Sequence, residues 1–318
     1  MMTYILFIIG FYFLIKGADL LVDGSSSIAK KFKISNIAIG LTIVAFGTST
    51  PELVVNVFAS IKGSTEIAIG NVLGSNIANI LLILGIASII YPISAKKNTV
   101  LKEIPFSLLA ALMVALTAND ALIDGSSFSA ITRIDGLIFI GFFTIFLYYT
   151  YGITRSDSDI NEPPVKVMSI VKSAAYILIG LTGLVFGGKW IVEGAVAIAE
   201  YFNVSQSLIG LTIVAVGTSL PELATSAVAA FKKQTDIAIG NVIGSNIFNI
   251  FWILGISAII RPLPFVATSN FDIVVNIAAS IILFFAIYVG KKHTLERWQG
   301  VVLVMLYAAY VVFLVITR

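Results

Sequence analysis

GLTIVAFGTSTPEL, residues 40 to 53, and GLTIVAVGTSLPEL, residues 210 to 223, are two copies of one apolar segment that a proline and a glutamate interrupt. The copies lie 170 positions apart, and the match continues without a gap through IAIGNVLGSNIANI (67 to 80) and IAIGNVIGSNIFNI (237 to 250). Self-similarity at a fixed spacing indicates an internal duplication. The sequence therefore predicts two homologous halves.

The composition is that of a membrane protein. Of 318 residues, 58% are hydrophobic and 12% are charged, and the mean hydropathy is +1.01, whereas about a quarter of the residues in a soluble domain are charged. The absence of cysteine and the single histidine, His293, exclude disulfides, thiolate chemistry and histidine clusters. Basic residues fall in short clusters between apolar runs, which gives no indication of nucleic-acid binding.

Ten apolar runs are long enough to cross about 30 Å of hydrocarbon. These predicted spans are residues 2–26, 36–61, 67–91, 101–119, 134–152, 170–199, 206–231, 237–260, 270–289 and 298–317. The first run has no basic leader and no cleavage site after it, so we interpret it as a membrane helix, with a signal peptide as the alternative. The sequence predicts an all-α membrane protein of about ten transmembrane helices.

Five crossings in each half predict that the second half enters the membrane from the opposite side, as an inverted repeat. The first repeat would occupy residues 1–152, with its motifs at 40–93, and the second 170–318, with its motifs at 210–263. Between them, residues 153–169 with Pro163 and Pro164 form a predicted cytoplasmic linker.

The distribution of Lys and Arg predicts the orientation, because these residues favour cytoplasmic loops. With both termini outside, the outer loops hold only Lys62, Arg133, Arg261 and Arg318. The loops predicted inside hold Lys30, Lys31, Lys33, Lys96, Lys97, Lys102, Arg155, Lys166, Lys172, Lys232, Lys233, Lys291, Lys292 and Arg297. We therefore expect an integral protein of the plasma (inner) membrane with both termini outside.

Glu52 and Glu222 are the acidic residues near the middle of predicted spans. A carboxylate at that depth costs several kcal/mol unless it faces a cavity or a cation. Inversion would bring the two equivalent positions together, and the pair would neutralise one divalent cation. The alternative is a simple helix kink whose glutamate pairs with a base, for which Lys16 and Lys189 are the intramembrane candidates.

The proline before each glutamate predicts a break in its helix. Pro51 and Pro221 lack an amide donor and clash with the preceding turn, which frees carbonyls around Thr48 and Thr218. Irregular backbone at this depth is tolerated where it lines protein or water. Each threonine also precedes its glutamate by four residues and shares a helix face with it. Carboxylate, hydroxyl and carbonyl oxygens together form the hard-ligand set that Ca²⁺ prefers.

The second motif places polar residues four apart on one helix face. These are Ser75 with Asn79 and, in the other copy, Ser245 with Asn249. Such residues are costly in hydrocarbon unless they are hydrogen-bonded or bind a ligand. Interhelical hydrogen bonds are one interpretation, and lining a cation path is the other. Their recurrence beside the acidic motif favours the cation path, with Asn249 as an additional ion-path or hydrogen-bonding residue.

The paired motifs, GTSTPEL with GNVLGSNIAN and GTSLPEL with GNVIGSNIFN, resemble the two alpha-repeats of the calcium/cation antiporter superfamily. The similarity is greatest to its sodium/calcium exchanger branch, in the prokaryotic form that lacks a large cytosolic insert. This resemblance implies ten helices, of which helices 2, 3, 7 and 8 form a central site. It also implies that helices 1 and 6 slide across that site to alternate its access, and that Na⁺ exchanges for Ca²⁺.

The resemblance further implies a set of oxygen ligands. Ca²⁺ would be held by Glu52, Glu222 and the carbonyls of Thr48 and Thr218. Na⁺ would be held by the same two glutamates, the carbonyls of Ala45 and Ala215, and the side chains of Ser49, Ser75, Asn79, Ser219 and Ser245. No cofactor is expected, and the partners are the two transported ions and membrane lipids, with no nucleic acid and no protein partner indicated.

Two departures bear on the coupling ion. Some exchangers of this superfamily have Asp where this chain has Asn249, and that acid is associated with K⁺ use, so Asn249 favours potassium independence. The proton-coupled branch has an acid in place of Gly74 and Gly244, which disfavours H⁺ here. A Ca²⁺/H⁺ exchanger, a K⁺-dependent exchanger and, less strongly, a cation channel remain the alternatives. No Ser-His, Cys-His or HExxH constellation indicates an enzyme.

Helices 1 and 6 also align, through IIGFYFLIKGADLLVDG (8 to 24) and LIGLTGLVFGGKWIVEG (178 to 194). Glycines recur at every seventh position in both stretches, which suits either a sliding surface or ordinary close packing. Asp19 and Lys189 occupy equivalent positions with opposite charge. The sequence alone gives no account of that exchange.

Overall fold

Helices form nearly all of the regular structure in the computed structural model, which describes residues 2–153, 166–202, 215–291 and 293–317. The long helices are α1 (Met2–Phe32), α2 (Asn36–Thr48), α3 (Thr50–Lys62), α4 (Thr65–Ile90), α5 (Thr99–Thr117), α7 (Arg133–Ile153), α8 (Ile170–Tyr201), α10 (Leu220–Phe231), α11 (Thr235–Ile260), α12 (Ala267–Ala286) and α13 (Arg297–Thr317). Two short helices are α6 (Asp120–Ile123) and α9 (Ala215–Gly217), and four two-residue strands are β1 (Ile93–Ser94), β2 (Ala130–Ile131), β3 (Leu263–Pro264) and β4 (Thr294–Leu295).

The described residues contain eight helices that are long and apolar enough to cross a membrane, or nine if α2 and α3 form one bent span. This confirms the helical membrane fold. The predicted span at 206–231 lies partly outside the described residues, and its described part includes the shorter apolar helix α10. Residues 154–165 of the predicted linker also lie outside the described residues. The count of ten helices therefore stays a prediction.

Both proline motifs coincide with a break between helices. Ser49 has φ −81° and ψ 7°, and the axis bends by 48° between α2 and α3. Ser219 has nearly the same conformation, φ −88° and ψ 5°, between α9 and α10. Pro51 and Pro221 each lie in the first turn of the following helix, where a missing amide donor costs nothing. The breaks place both glutamates at the start of a new helix.

Four of the described helices contain π-helical turns. They are Gly40–Val44 in α2, Asn79–Ile83 in α4, Thr99–Glu103 in α5 and Phe248–Leu254 in α11. Such turns are rare and occur often at functional sites because they shift the direction of the side chains that follow. Asn79 begins one of these turns and Asn249 lies within another. Two of the π-helical turns thus coincide with the asparagines of the second motif.

α1 and α8 contact each other along their glycines. A Cβ atom added at Gly17 would lie 2.7 Å from the carbonyl oxygen of Gly180, and one added at Gly180 would lie 2.7 Å from that of Gly17. The two backbones are therefore in direct contact, and side chains larger than hydrogen are excluded at this crossing. Close packing is thus present, and sliding stays a prediction.

The short strands connect the two halves of the chain. β1 pairs antiparallel with β4, with Ile93 opposite Leu295, and β2 pairs antiparallel with β3, with Ile131 opposite Leu263. Each pair joins one strand from the first half to one from the second. The two halves are therefore hydrogen-bonded to each other at both strand pairs.

Candidate cation-binding site

The two buried glutamates lie where the broken helices meet, and each contacts a serine of the other half. Glu52 and Glu222 are both 1% exposed. The hydroxyl of Ser49 donates to Glu222 Oε1 at 2.8 Å, and the hydroxyl of Ser219 donates to Glu52 Oε1 at 3.3 Å. The structure thus brings together four predicted site residues through reciprocal contacts.

The serines of the second motif extend this arrangement. Ser245 Oγ lies 3.0 Å from Ser49 Oγ and 3.5 Å from Glu222 Oε1, and Ser75 Oγ lies 3.1 Å from Ser219 Oγ. Both of these serines are buried. Two serine hydroxyls therefore contact Glu222 Oε1, whereas Glu52 Oε1 contacts Ser219, which in turn contacts Ser75.

The threonine hydroxyls each have an asparagine partner. Thr48 Oγ1 donates to Asn241 Oδ1 at 3.0 Å, and Thr218 Oγ1 donates to Asn71 Oδ1 at 3.3 Å. These asparagines belong to the neighbouring helices α11 and α4 of the opposite half. A threonine hydroxyl that donates its proton in this way keeps its lone pairs for a cation.

Asn79 and Asn249 each have an amide nitrogen that is hydrogen-bonded and an amide oxygen that is not. The Asn79 amide nitrogen donates to Asn246 Oδ1 at 2.9 Å, and that of Asn249 donates to Asn76 Oδ1 at 2.9 Å. Interhelical hydrogen bonds are therefore present. The Oδ1 atoms of Asn79 and Asn249 nevertheless have no hydrogen-bond partner, although both residues are only 1% exposed.

Four buried acceptor oxygens at this site lack a donor: Glu52 Oε2, Glu222 Oε2, Asn79 Oδ1 and Asn249 Oδ1. An unsatisfied buried polar atom costs about 1–3 kcal/mol, and more where it is charged. All four are hard oxygen acceptors, and a cation is the ligand that satisfies such a set. These oxygen ligands therefore fit Na⁺ and Ca²⁺ as bound substrates.

The two alanines differ in their surroundings. The carbonyl of Ala45 accepts the N–H of Ser49 at 3.0 Å and lies 3.3 Å from Thr48 Oγ1. In the second half, Ser219 donates its N–H to the carbonyl of Val216 at 3.1 Å rather than to that of Ala215, which begins α9. The Ala45 carbonyl is thus hydrogen-bonded, so it would share its lone pairs with any bound ion.

The alternative in which the glutamates pair with lysines is wrong for the two candidates. Lys16 Nζ lies 3.5 Å from Asp19 Oδ2, and Lys189 Nζ lies 3.7 Å from Glu193 Oε1. Neither lysine has an ion pair with a central glutamate among the described residues. The charge of the site is therefore available to a mobile ion.

A cavity of about 340 Å³ reaches the site from one side. It lies between α3 and α8 and extends to Thr218 at the second helix break, and its lining includes Pro51, Pro221, Lys189 and Glu193. The prolines at the two helix breaks, Pro51 and Pro221, thus both line the cavity.

Two buried polar residues that support the site were not predicted from the sequence. Asn56 accepts from Asn71 at 2.7 Å, and Ser226 accepts from Asn241 at 3.0 Å, so each fixes an asparagine that binds a site threonine. Asn56 follows Glu52 by four residues and Ser226 follows Glu222 by four residues. That spacing is a usable signal, since it places both on the face of the glutamates.

Two further buried acids lie outside the site. Glu103 is 1% exposed and accepts a short hydrogen bond from the Tyr149 hydroxyl, and Asp272 is 4% exposed and accepts from Tyr310 at 2.9 Å. Both lie near the start of a membrane helix, Glu103 in α5 and Asp272 in α12. Burial does not distinguish the central pair, and Glu103 Oε2 also lacks a hydrogen-bond partner. The central pair differs in its position between the two helix breaks and in its contacts with serines of the opposite half.

Comparison with known proteins agrees with this geometry. The sequence model of the family described as sodium/calcium exchanger protein matches residues 2–152 and 172–316. The sodium/calcium exchanger MaX1 of Methanosarcina acetivorans is 35% identical over 345 residues, covering 98% of both chains, and the inner membrane protein YrbG of Escherichia coli is 35% identical over 269 residues, covering 81% of this chain and 79% of YrbG.

A solved structure has the same fold. The sodium-calcium exchanger NCX_Mj, soaked with Na⁺ and Ca²⁺, superimposes with a TM-score of 0.84 at 35% sequence identity and covers 98% of both chains. The family model matches more than half of the chain, and MaX1 and NCX_Mj each cover 98% of it. The resemblance stated from the motifs is confirmed: the chain belongs to the sodium/calcium exchanger family of membrane transporters, and it is not an enzyme.

Proposed function

We propose that this transporter lets Na⁺ run down its gradient to move Ca²⁺ the other way, at the site between the broken helices. The observation that carries the proposal is the set of four buried, unpartnered acceptor oxygens, two of them on carboxylates from opposite halves. MaX1 is named a sodium/calcium exchanger, and NCX_Mj was soaked with both ions. These relatives support the same pair of substrates.

The two carboxylates provide a physical reason for exchange. One Ca²⁺ neutralises Glu52 and Glu222 together, and Na⁺ ions do so separately. An empty site would carry uncompensated negative charge through a region of low dielectric constant, which is unfavourable. Competition for shared oxygens would then couple the two fluxes, and the empty transporter would change conformation slowly.

Alternating access and the inverted repeat are part of the proposal. The reciprocal serine contacts with Glu52 and Glu222, and the two crossed strand pairs, are what two halves related by a twofold axis would produce. The cavity beside Thr218 supports access from one side. We propose ten helices, α2 with α3 and residues 206–231 each counting as one, with halves at 1–152 and 170–318.

We further propose an orientation with both termini outside, as the distribution of Lys and Arg predicts. The name of YrbG, an inner membrane protein, supports the plasma membrane as the location. Na⁺ is the proposed coupling ion because Asn249, Gly74 and Gly244 are uncharged where K⁺- or H⁺-coupled relatives have acids.

An ion-swap flux experiment tests the coupling ion. We expect purified protein in Na⁺-loaded proteoliposomes to accumulate ⁴⁵Ca²⁺ when diluted into Na⁺-free buffer, because outward Na⁺ flow drives inward Ca²⁺ flow. Replacing internal Na⁺ by K⁺ or Li⁺, or imposing only a pH gradient, should reduce uptake to the level of empty liposomes. Uptake driven by the pH gradient alone would establish Ca²⁺/H⁺ exchange, and a large uncoupled Ca²⁺ current would establish a channel.

Ser219→Ala should weaken ion binding without removing charge. The hydroxyl of Ser219 lies 3.3 Å from Glu52 Oε1 and 3.1 Å from Ser75 Oγ, so its loss leaves a buried carboxylate oxygen with one donor fewer. We expect an increase of about tenfold in the Na⁺ and Ca²⁺ concentrations for half-maximal exchange. Ser280→Ala is the control, since Ser280 is equally buried but bonds only within α12. Equal effects of both substitutions would refute the role of Ser219.

A further inference from the structure

The ammonium of Lys232, just after the end of α10, has three oxygen neighbours on α1. Its Nζ lies 2.5 Å from Asp19 Oδ1, 2.6 Å from Asp23 Oδ1 and 3.1 Å from the main-chain oxygen of Asp19. A lysine ammonium has three N–H donors, and these contacts use all of them. The contact ties α1 to the helix that carries Glu222.

The equivalent contact does not form in the other half. The residues 170 positions away are Lys62, Lys189 and Glu193, so that a lysine stands where the first half has Asp19. Lys189 Nζ lies 3.7 Å from Glu193 Oε1 within α8. Lys62 is exposed and has no ion pair with a carboxylate in the described part of the chain. A matching bridge would bring two lysine ammonium groups together, which is unfavourable.

The packing beside the two helix breaks shows the same asymmetry. On the Lys62 side lies the cavity between α3 and α8, where Val54 is 48% exposed. Its counterpart on the Lys232 side, Ala224, is 9% exposed. Likewise Thr218 borders the cavity, whereas Thr48 is fully buried. The site is thus open toward α8 and closed by α1.

We propose that Asp19, Asp23 and Lys232 form a one-sided ionic latch that holds α1 closed over α10. Lys189, in place of an acid, prevents a second latch at Lys62. The opposite charges of the two equivalent positions thereby bias the resting transporter toward access from the Lys62 side, which is the outer face in the proposed orientation. The latch rests on the proposed alternating access.

The bias has a direct functional consequence. A state that is only fractionally populated lowers the apparent affinity of the ligand that requires it by that fraction. The latch therefore makes ions bind more weakly from the Lys232 side than from the Lys62 side. Because exposed ion pairs shift an equilibrium by at most about fivefold, we expect an effect of that size when the latch is removed.

The natural absence of cysteine allows a direct measurement of access. Val54→Cys and Ala224→Cys are equivalent single reporters, one in the open cavity and one on the closed side. Full-length protein in proteoliposomes would be treated on each face with a cationic, membrane-impermeant thiol reagent. In the parent protein, we expect Val54→Cys to react faster. Lys232→Gln should raise the reaction rate of Ala224→Cys about fivefold and lower that of Val54→Cys.

Two further variants sharpen the test. Lys62→Gln is the matched control, since Lys62 is the equivalent lysine without a latch, and it should leave both reaction rates unchanged. The charge exchange Asp19→Lys with Lys189→Asp should instead create the latch at Lys62, so that Ala224→Cys becomes the faster reporter. Asp23→Asn, which removes one of the carboxylates, should shift the rates in the direction of Lys232→Gln by a smaller amount.

The outcomes separate the latch from the proposed function. Unchanged reporter rates in Lys232→Gln and in Asp23→Asn, with exchange intact, would overturn the latch. A shift in Lys62→Gln as large as that in Lys232→Gln would do the same, because it would show a general effect of surface charge. Absence of Na⁺-driven Ca²⁺ flux in the unmodified protein would contradict the proposed function, whatever the reporters show.

Discussion

Glu52→Gln and Glu222→Gln should each reduce Na⁺-driven Ca²⁺ uptake by about 100-fold or more. Both carboxylates are buried, and each has one oxygen without a hydrogen-bond partner. The substitution removes half of the charge that neutralises Ca²⁺, and it replaces one acceptor oxygen by an amide with two donors. The measurement is the initial rate of ⁴⁵Ca²⁺ uptake in proteoliposomes, with the amount of inserted protein held equal.

The matched control for this prediction is Glu103→Gln. Glu103 is as deeply buried as Glu52, but it accepts a hydrogen bond from Tyr149 near the end of a helix and lies outside the site. We expect this variant to keep most of its transport rate. Retention of full uptake by either central variant would show that the ions bind elsewhere, even if the fold is unchanged.

Gly180→Leu should lower the exchange rate by at least about tenfold. A Cβ atom at this position would lie 2.7 Å from the carbonyl oxygen of Gly17 and 2.7 Å from the amide nitrogen of Leu21. Both neighbours are backbone atoms of α1, so the helices would have to separate, and overpacking of this kind costs about 1–3 kcal/mol. Exchange rate and thermal stability in detergent should be measured on the same preparation.

Gly141→Leu in α7 provides the comparison for this crossing. A Cβ atom at Gly141 would have no other atom within 4 Å, apart from its own chain neighbours and helix backbone. We expect that variant to resemble the parent in both rate and stability. If Gly180→Leu exchanged ions at the parental rate, the direct backbone contact between α1 and α8 would be irrelevant to transport.

The family and the helical fold were readable from the sequence because two kinds of signal are local. The length of each apolar run predicts a span, and the repetition of Pro51 and Glu52 at Pro221 and Glu222 marks the functional motif without any alignment. The helix break after Thr48 follows from proline stereochemistry alone. These inferences need no knowledge of how the helices pack.

The partners of the site residues could not be predicted in the same way. That Ser49 faces Glu222, or that Thr48 donates to Asn241, depends on the rotation of helices from opposite halves about their axes. A rotation of one residue, about 100°, would replace each partner by another. The sequence places these residues at the right depth, and only tertiary packing selects among them.

The opposite charges of the equivalent residues Asp19 and Lys189 illustrate the same limit of sequence analysis. The sequence shows the opposite charges but not the partner of Asp19, because Lys232 lies far away in the chain, in a predicted loop. In the structure it reaches back along α1 and contacts both Asp19 and Asp23. A long flexible side chain at a helix end can thus contact acids on a neighbouring helix.

The two strand pairs, each of which joins the first half of the chain to the second, constrain how the protein can fold during its synthesis. Ile93 leaves the ribosome long before its partner Leu295, and Ile131 long before Leu263. At about 5–20 residues per second, the first strand waits roughly 10 to 40 s for its neighbour. During that interval the first half stays in the bilayer with an unpaired strand edge and half of an acidic site. Native assembly therefore has to follow the insertion of nearly the whole chain, after translation is almost complete.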